Sequence, residues 1–280
     1  MIDVSYLKGK KVAVLGLGRA GLANCIALEA ANVEYSAWDD KAQAREEALS
    51  KRLKLADSIE DFLSGTDMMI ISPGIPHTLP EPHATVKLAK EQGISLYSDI
   101  HIFREAAPDI DVIGVTGTNG KSTTTTLLGH VLGKNMTSQI GGNIGIPSLS
   151  LSPETDATVL ELSSYQIELT DNLNATGAIW LNISPDHIDR HGSIEGYVAA
   201  KLRIFERNKS QGIAVIGVDD THSKDVADQI SKRDDWTVIP VSMTDKLDHG
   251  ISVIDGQLYK DGEFQIDISN FRFDFREKEN

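Results

Sequence analysis

Val112-Ile113-Gly114-Val115-Thr116-Gly117-Thr118-Asn119-Gly120-Lys121-Ser122 decides the fold of this chain. A short apolar strand runs into a glycine turn, and Lys121 opens a helix expected to reach Lys134 with the stripe Leu127, Leu128, Val131 and Leu132. Backbone N–H groups freed by Gly117 and Gly120 can surround phosphate oxygens at the helix N-terminus. Lys121 adds a point charge toward the outer phosphates, and the Ser122 hydroxyl a metal ligand. Together these imply ATP with a divalent metal. The generic phosphate-loop spacing wants glycine six residues before the lysine, and Val115 stands there. The competing explanation is a glycine turn that happens to precede a helix; the strand–turn–helix context favours phosphate binding.

Downstream, 158–162, 178–183 and 213–217 read as strands, and Ser193 as the N-cap of a helix running to about Asn208. Residues 251–268 hold Asp255-Gly256 and Asp261-Gly262 between strand-like runs, which predicts a small antiparallel meander. Upstream, 12–15, 33–38, 68–71 and 94–97 read as strands, with a helix after the first striped by Leu22, Cys25, Ile26 and Ala30. The pattern predicts an α/β protein. A Rossmann-like domain covers 1–98, a polar linker containing Pro108 covers 99–111, and a P-loop-type ATPase domain with the meander covers 112–280.

Composition narrows the class. A formal charge of -14 argues against nucleic acid as the main partner. Cys25 is the single cysteine, so no internal disulfide forms, which fits a reducing compartment. The first residues lack a signal-peptide layout, and no apolar run approaches the roughly 18 residues of a membrane helix. A cytoplasmic protein without membrane attachment is expected.

Other residues carry chemistry. Gly16-Leu17-Gly18-Arg19-Ala20-Gly21 follows a strand, with Asp39 at the end of the next one. That turn suits a dinucleotide, any other diphosphate, or close helix–strand packing alone. Glu161 and His187 follow strands of the second domain, at the rim where ligands of open α/β sheets sit, and could hold a second metal. Lys201 shares a helix face with Tyr197, Val198 and Phe205. It is either a snorkelling lysine or an amine of lowered pKa able to become a carbamate metal ligand, and the residues alone leave both open.

Together, the two glycine turns, Ser72-Pro73-Gly74-Ile75-Pro76, Gly141-Gly142-Asn143-Ile144-Gly145, Glu161-Leu162-Ser163-Ser164-Tyr165-Gln166, Asp186-His187-Ile188-Asp189-Arg190-His191 and Ala200-Lys201-Leu202-Arg203-Ile204 resemble the Mur ligase family of peptidoglycan synthesis. The likeness runs from Gly16 to about Ile268, and its pattern is that of the member joining D-glutamate to UDP-N-acetylmuramoyl-L-alanine. The resemblance implies that Gly117 to Thr123 holds ATP, with Thr118, Asn119, Gly120, Lys121 and Ser122 between them. It implies that Gly18, Arg19, Ala20, Asp39, Lys41, Ser72 and Gly74 hold the UDP end of the sugar substrate and that Asn143 touches the muramoyl part. Ser122 and Glu161 would bind one magnesium; His187 and a carbamylated Lys201 would bind a second. Lys121, Lys201 and His187 would be catalytic. The implied reaction phosphorylates a carboxylate with ATP to an acyl phosphate, which the amine of D-glutamate attacks, in a monomer.

Family members carry a third domain that contacts D-glutamate and completes the ATP site, and a glycine followed by a His-Asn pair that reaches the adenine. Neither is found before Asn280, where Phe271, Phe273 and Phe275 alternate with charged residues as in an edge strand. A shortened ligase that binds its ligands without efficient turnover is therefore expected. The alternatives are a sibling ligase such as a folylpolyglutamate-type enzyme, a non-catalytic nucleotide-binding module, and a dinucleotide oxidoreductase resting on the first glycine turn alone.

Overall fold

The computed structural model describes residues 1–171, 173–206 and 211–270. Its first sheet has four parallel strands, β1 (Lys11–Leu15), β2 (Glu34–Trp38), β3 (Met68–Ile71) and β4 (Ser95–Tyr97), in the order β2-β1-β3-β4. Residues 12–15 and all of β3 are buried, as a parallel strand covered by helices on both faces must be. The helices of this unit are α1 (Arg19–Ala30), α2 (Ala42–Ser50), α3 (Ile59–Leu63) and α4 (Ala84–Glu91). The stripe expected on α1 is corrected: Ile26 is 41% exposed and Ala30 is exposed. The buried face instead carries Gly21, Ala23, Cys25, Ala27 and Leu28. Small side chains let α1 sit close to the sheet, and they leave little hydrophobic signal in the sequence.

The stretch expected as a polar linker folds as α5 (Asp99–Ala106). Ser98 caps it by accepting the His101 N–H at 3.2 Å. Ile100, Ile102 and Phe103 are fully buried. The polar residues that suggested a linker are engaged inside. Asp99 is buried and accepts hydrogen bonds from Ser148 Oγ at 2.7 Å and Gln166 Nε2 at 3.3 Å. Arg104 donates to the Ile110 carbonyl at 3.0 Å, tying off the turn into the next strand. One continuous core joins Ile2, Ile100, Phe103, Leu149 and Leu162, so the junction between the sheets is packed.

The second sheet comprises β5 (Asp111–Thr116), β6 (Ser138–Gly142), β7 (Ala157–Glu161), β8 (Gly177–Trp180), β9 (Gly212–Gly217), β10 (Trp236–Ser242), β11 (Ile251–Ile254), β12 (Gln257–Lys260) and β13 (Glu263–Asp267). Their order is β13-β12-β11-β10-β9-β8-β5-β7-β6. Pairing is parallel from β6 to β11 and antiparallel across β11-β12-β13. Both meander turns have positive φ at two successive residues, 51° and 75° at Asp255 and Gly256, 50° and 77° at Asp261 and Gly262. These are the hairpin turns that Asp-Gly favours.

The helices here are α6 (Lys121–Leu132), α7 (Ser164–Glu168), α8 (Ile188–His191), α9 (Ile194–Leu202) and α10 (Thr221–Ile230). α6 ends at Leu132, with Gly133 as its C-cap, rather than at Lys134, and Val131 of its expected stripe is 53% exposed. The seated face centres on Thr125 and on Gly129, where a Cβ would come within 2.3 Å of Ile140 Cγ2. β8 ends at Trp180, short of the expected 183. α9 starts at its expected cap, Ser193, but ends at Leu202 with a single 3-10 turn to Phe205. The expected end at Asn208 and the edge strand through Phe271, Phe273 and Phe275 lie outside the described residues. β5, β7 and β8 lie side by side with parallel directions, so the loops after them share one edge.

Candidate active site

The loop after β5 is built around Gly117. Its φ is +147°, and a Cβ there would meet Leu181 Cβ at 2.9 Å and Asn182 N at 3.2 Å, so only glycine fits. The end of β8 braces the loop: the Thr118 N–H donates to the Asn182 carbonyl at 2.9 Å and the Asn119 N–H to Asn182 Oδ1 at 2.9 Å. Gly120, left-handed at φ 86°, is the N-cap of α6, and no side chain caps that terminus. The first-turn donors of this 12-residue helix are therefore left without a side-chain acceptor. Lys121 folds back over the loop, its Nζ donating to the carbonyls of Gly117 at 3.1 Å and Thr118 at 2.8 Å. Thr123 is exposed.

Glu161, the last residue of β7, is 2% exposed. Ser122 Oγ donates to its Oε2 at 2.7 Å, and Asn143 Nδ2 to its Oε1 at 2.7 Å. Two residues, one at the start of α6 and one just after β6, thus meet on one carboxylate. Lys201 is 1% exposed on α9. Its Nζ donates to Thr116 Oγ1 at 3.1 Å and to the Gly117 carbonyl at 3.0 Å, and stands 4.7 Å from the centre of the Tyr197 ring. Burial first, then the charge of Lys121, push its pKa down to about 7 against the pull of Asp186. The snorkelling explanation fails, because the ammonium end is as buried as its stem.

A cleft of about 280 Å³ gathers Lys121, Asn143, His187 and Lys201 with Gly74 and Pro73 of the first unit. Ser163, Ser164, Tyr165 and Tyr197 complete its wall. In the sequence Ser163, Ser164 and Tyr165 stand inside one informative motif and Tyr197 on the helix face of Lys201, none of them with an assigned role. His187 is left-handed at φ 51°, and its half-exposed ring lies 5.2 Å from Tyr165 and 3.5 Å (Nε2) from Asp186 Oδ2. Arg190 reaches across to the first unit, donating to the carbonyls of Gly74 at 3.3 Å and Ile75 at 3.1 Å. It also lies over the Tyr165 ring at 4.4 Å.

The first glycine turn, bordering the first sheet, is built in the same way. A Cβ on Gly21 would come within 1.8 Å of the Gly16 carbonyl oxygen, so α1 sits as close to the turn as glycine allows. Ser72 Oγ donates to that same carbonyl at 3.2 Å. Asp39 serves the turn itself: Oδ2 accepts the Leu17 N–H at 2.7 Å and Oδ1 the Lys41 N–H at 2.8 Å. Gly18 is the N-cap of α1, again without a side-chain cap, and Arg19 and Lys41 are exposed beside it. Among the described residues no three His, Cys, Asp or Glu side chains form a ready-made metal site. No helix among them is long and apolar enough to cross a membrane.

Known proteins match the chain in both units. Residues 115–273 match the model of the Mur ligase middle domain, and residues 11–95 match that of the NAD binding domain of 6-phosphogluconate dehydrogenase. The chain is 40% identical over 271 residues to UDP-N-acetylmuramoylalanine–D-glutamate ligase of Paramagnetospirillum magneticum, covering 96% of this chain and 59% of that protein. It is 42% identical over 270 residues to the same enzyme of Phenylobacterium zucineum, covering 92% and 57%. The chain therefore spans somewhat under three fifths of the curated relatives it matches. In fold it resembles UDP-N-acetylmuramate:L-alanyl-gamma-D-glutamyl-meso-diaminopimelate ligase from Neisseria meningitides, with TM-score 0.61 and 16% identity over 91% of this chain and 85% of that one. It also resembles UDP-N-acetylmuramate-alanine ligase from Thermotoga maritima, with TM-score 0.52 and 17% identity over 92% and 59%. The middle-domain match contains the phosphate loop, Glu161, His187 and Lys201 and takes in more than half of the sequence: the chain belongs to the Mur ligase family.

Proposed function

We propose that this chain carries the nucleotide and UDP-sugar sites of an ATP-dependent ligase that joins D-glutamate to UDP-N-acetylmuramoyl-L-alanine, acting as a monomer. The observation that carries the proposal is the cleft in which Lys121, Asn143, His187 and Lys201 meet Gly74 of the first unit. It brings the phosphate loop and the first unit to one place, as transfer from ATP to a bound sugar-peptide requires. The relatives at about 40% identity carry that activity in their names.

ATP would sit on residues 117–123, its phosphates at the uncapped start of α6 with Lys121 turned toward them. Ser122 and Glu161 offer hard oxygen donors of the kind magnesium takes, the remainder of its shell coming from phosphate and water. Lys201 would become a ligand for a second magnesium, with His187, only as a carbamate. An amine with a pKa of about 7 is substantially neutral at neutral pH, which is the form that reacts with carbon dioxide. The metals would supply charge neutralisation while a carboxylate and a triphosphate, both anions, approach. This chain's own residues orient and screen: Asn143 fixes Glu161 and borders the sugar-peptide, while Lys121 lowers the charge on the outer phosphates. At the other end Gly18, Arg19, Ala20, Ser72 and Gly74 would hold the diphosphate of UDP. Asp39 and Lys41 would lie toward the uracil, with Asp39 also shaping the turn.

Calorimetric titration of the 280-residue chain should show saturable binding of magnesium-ATP and of UDP-N-acetylmuramoyl-L-alanine. Absence of UDP-sugar binding refutes the substrate assignment.

A further inference from the structure

Four side chains stand in file from the cleft wall to the boundary between the sheets. His191 Nε2 lies 2.9 Å from Ser164 Oγ, and His191 Nδ1 faces Glu168 Oε2 at 3.8 Å. The same carboxylate oxygen lies 3.3 Å from Nε2 of His77, on the loop after β3. The imidazole of His191 is 2% exposed and that of His77 7%. Two rings enclose His191: Tyr165 stacks on it at 5.4 Å and Tyr197 tilts against it at 5.4 Å.

A neutral imidazole carries one proton, and its partners decide which nitrogen holds it. Burial keeps His191 below the ordinary histidine range. Glu168 pulls upward, while Lys201, His187 and Arg190 push the same way as burial. The proton therefore belongs on Nδ1, facing the Glu168 carboxylate. Nε2 is left with a lone pair, and the group in front of it is the Ser164 hydroxyl. That hydroxyl has one proton and donates it to Nε2. What Ser164 can then turn toward the cleft is lone pairs.

We propose that His191 is a positioning residue that fixes Ser164 as a hydrogen-bond acceptor in the cleft wall, so that the ligand group seated there is an N–H or O–H donor. An amide or a sugar hydroxyl satisfies this; a phosphate or a carboxylate does not. The ligand half rests on the sugar-peptide assignment of the cleft made above. The His191–Ser164 half is independent of it.

Two measurements on the 280-residue chain test the two halves. Long-range proton–nitrogen NMR of the histidine rings at pH 7.5 should show His191 protonated on Nδ1, with an Nε2 signal that shifts in Ser164→Ala. Binding of UDP-N-acetylmuramoyl-L-alanine should weaken about tenfold in Ser164→Ala, the loss of one hydrogen bond. It should weaken as much in His191→Phe, which keeps an aromatic ring between the two tyrosines. The double variant should be no weaker than either single one. His191→Gln, whose amide oxygen can accept at the Nε2 position, should recover most of the loss, and magnesium-ATP affinity should be unchanged throughout. Protonation on Nε2, or losses that add in the double variant, would overturn the proposal. The expected NMR signature without any UDP-sugar binding by the wild type would keep the His191–Ser164 assignment and overturn the ligand half together with the substrate reading it rests on.

Discussion

The molecule contains the same backbone device twice, and the two copies differ in charge. After β1 and after β5 a parallel strand ends in a glycine turn that opens a helix without a side-chain cap. The first turn holds a carboxylate, Asp39, against its Leu17 N–H, and its one cation, Arg19, is exposed. The second holds Lys121 folded across its carbonyls and Lys201 buried behind it, with Ser122 and Glu161 alongside. Helix-end geometry alone suffices to seat a diphosphate that is merely held. Transferring a phosphoryl group needs positive charge in a dry place, and that charge has to be forced in by the fold.

The largest effect expected from this difference is a pH dependence confined to the second turn. Lys201 is protonated below pH 7 in both folded and unfolded chains, so the folded state then bears the full cost of a buried ammonium. Between about pH 7 and the ordinary lysine value the unfolded chain holds more protons than the folded one, and stability rises with pH. Lys201→Met removes the charge. In carbonate-free buffer it should be more stable than wild type at pH 6, and that advantage should shrink by on the order of 4 kcal/mol by pH 10. Denaturant unfolding across that range checks it, and a pH-independent gap would mean the amine is not dehydrated. Next in size, Lys121→Met should weaken magnesium-ATP binding roughly 100-fold, as expected for loss of a charge-assisted contact, and leave UDP-sugar affinity within about twofold. Equal losses of both ligands would show that the two turns are not separable.

Both turns were legible in the sequence because each places glycines, a helix start and a strand within about ten residues. The meander was legible for the same reason, through Asp255-Gly256 and Asp261-Gly262. What escaped was long-range. α5 looked like a linker because Asp99 and Arg104 are polar, yet Ser148, Gln166 and the carbonyl of Ile110, distant or across a turn, satisfy them. The stripes of α1 and α6 misled because their seated faces are small residues, Ala23 and Ala27 in one, Thr125 and Gly129 in the other. Glu161, His187 and Lys201 were found as residue types at strand ends and on a helix face. Tyr197 and Ser164 needed the fold, because an ordinary tyrosine and serine announce nothing until the opposite wall is in place.

The smaller effects fall on the first turn. Asp39→Ala removes the acceptor of two N–H groups, Leu17 and Lys41, and should cost about 1–2 kcal/mol of stability. UDP-sugar binding should weaken with it while ATP binding is spared. Ser72→Ala is the finest probe. Its hydroxyl makes one hydrogen bond to the Gly16 carbonyl at 3.2 Å, and a Cβ on Gly16 would meet that hydroxyl at 2.6 Å, so serine and glycine fill one space. Losing the bond without losing the packing should cost about 0.5–1 kcal/mol in unfolding free energy. If Ser72 only braces the turn, UDP-sugar affinity should fall by no more than the stability loss implies. If the hydroxyl also reaches the diphosphate, affinity should fall by about tenfold while stability changes by less than 1 kcal/mol. Calorimetry and denaturant unfolding on the same variant separate the two, and they decide whether the Ser72 hydroxyl belongs to the diphosphate site or only braces the turn.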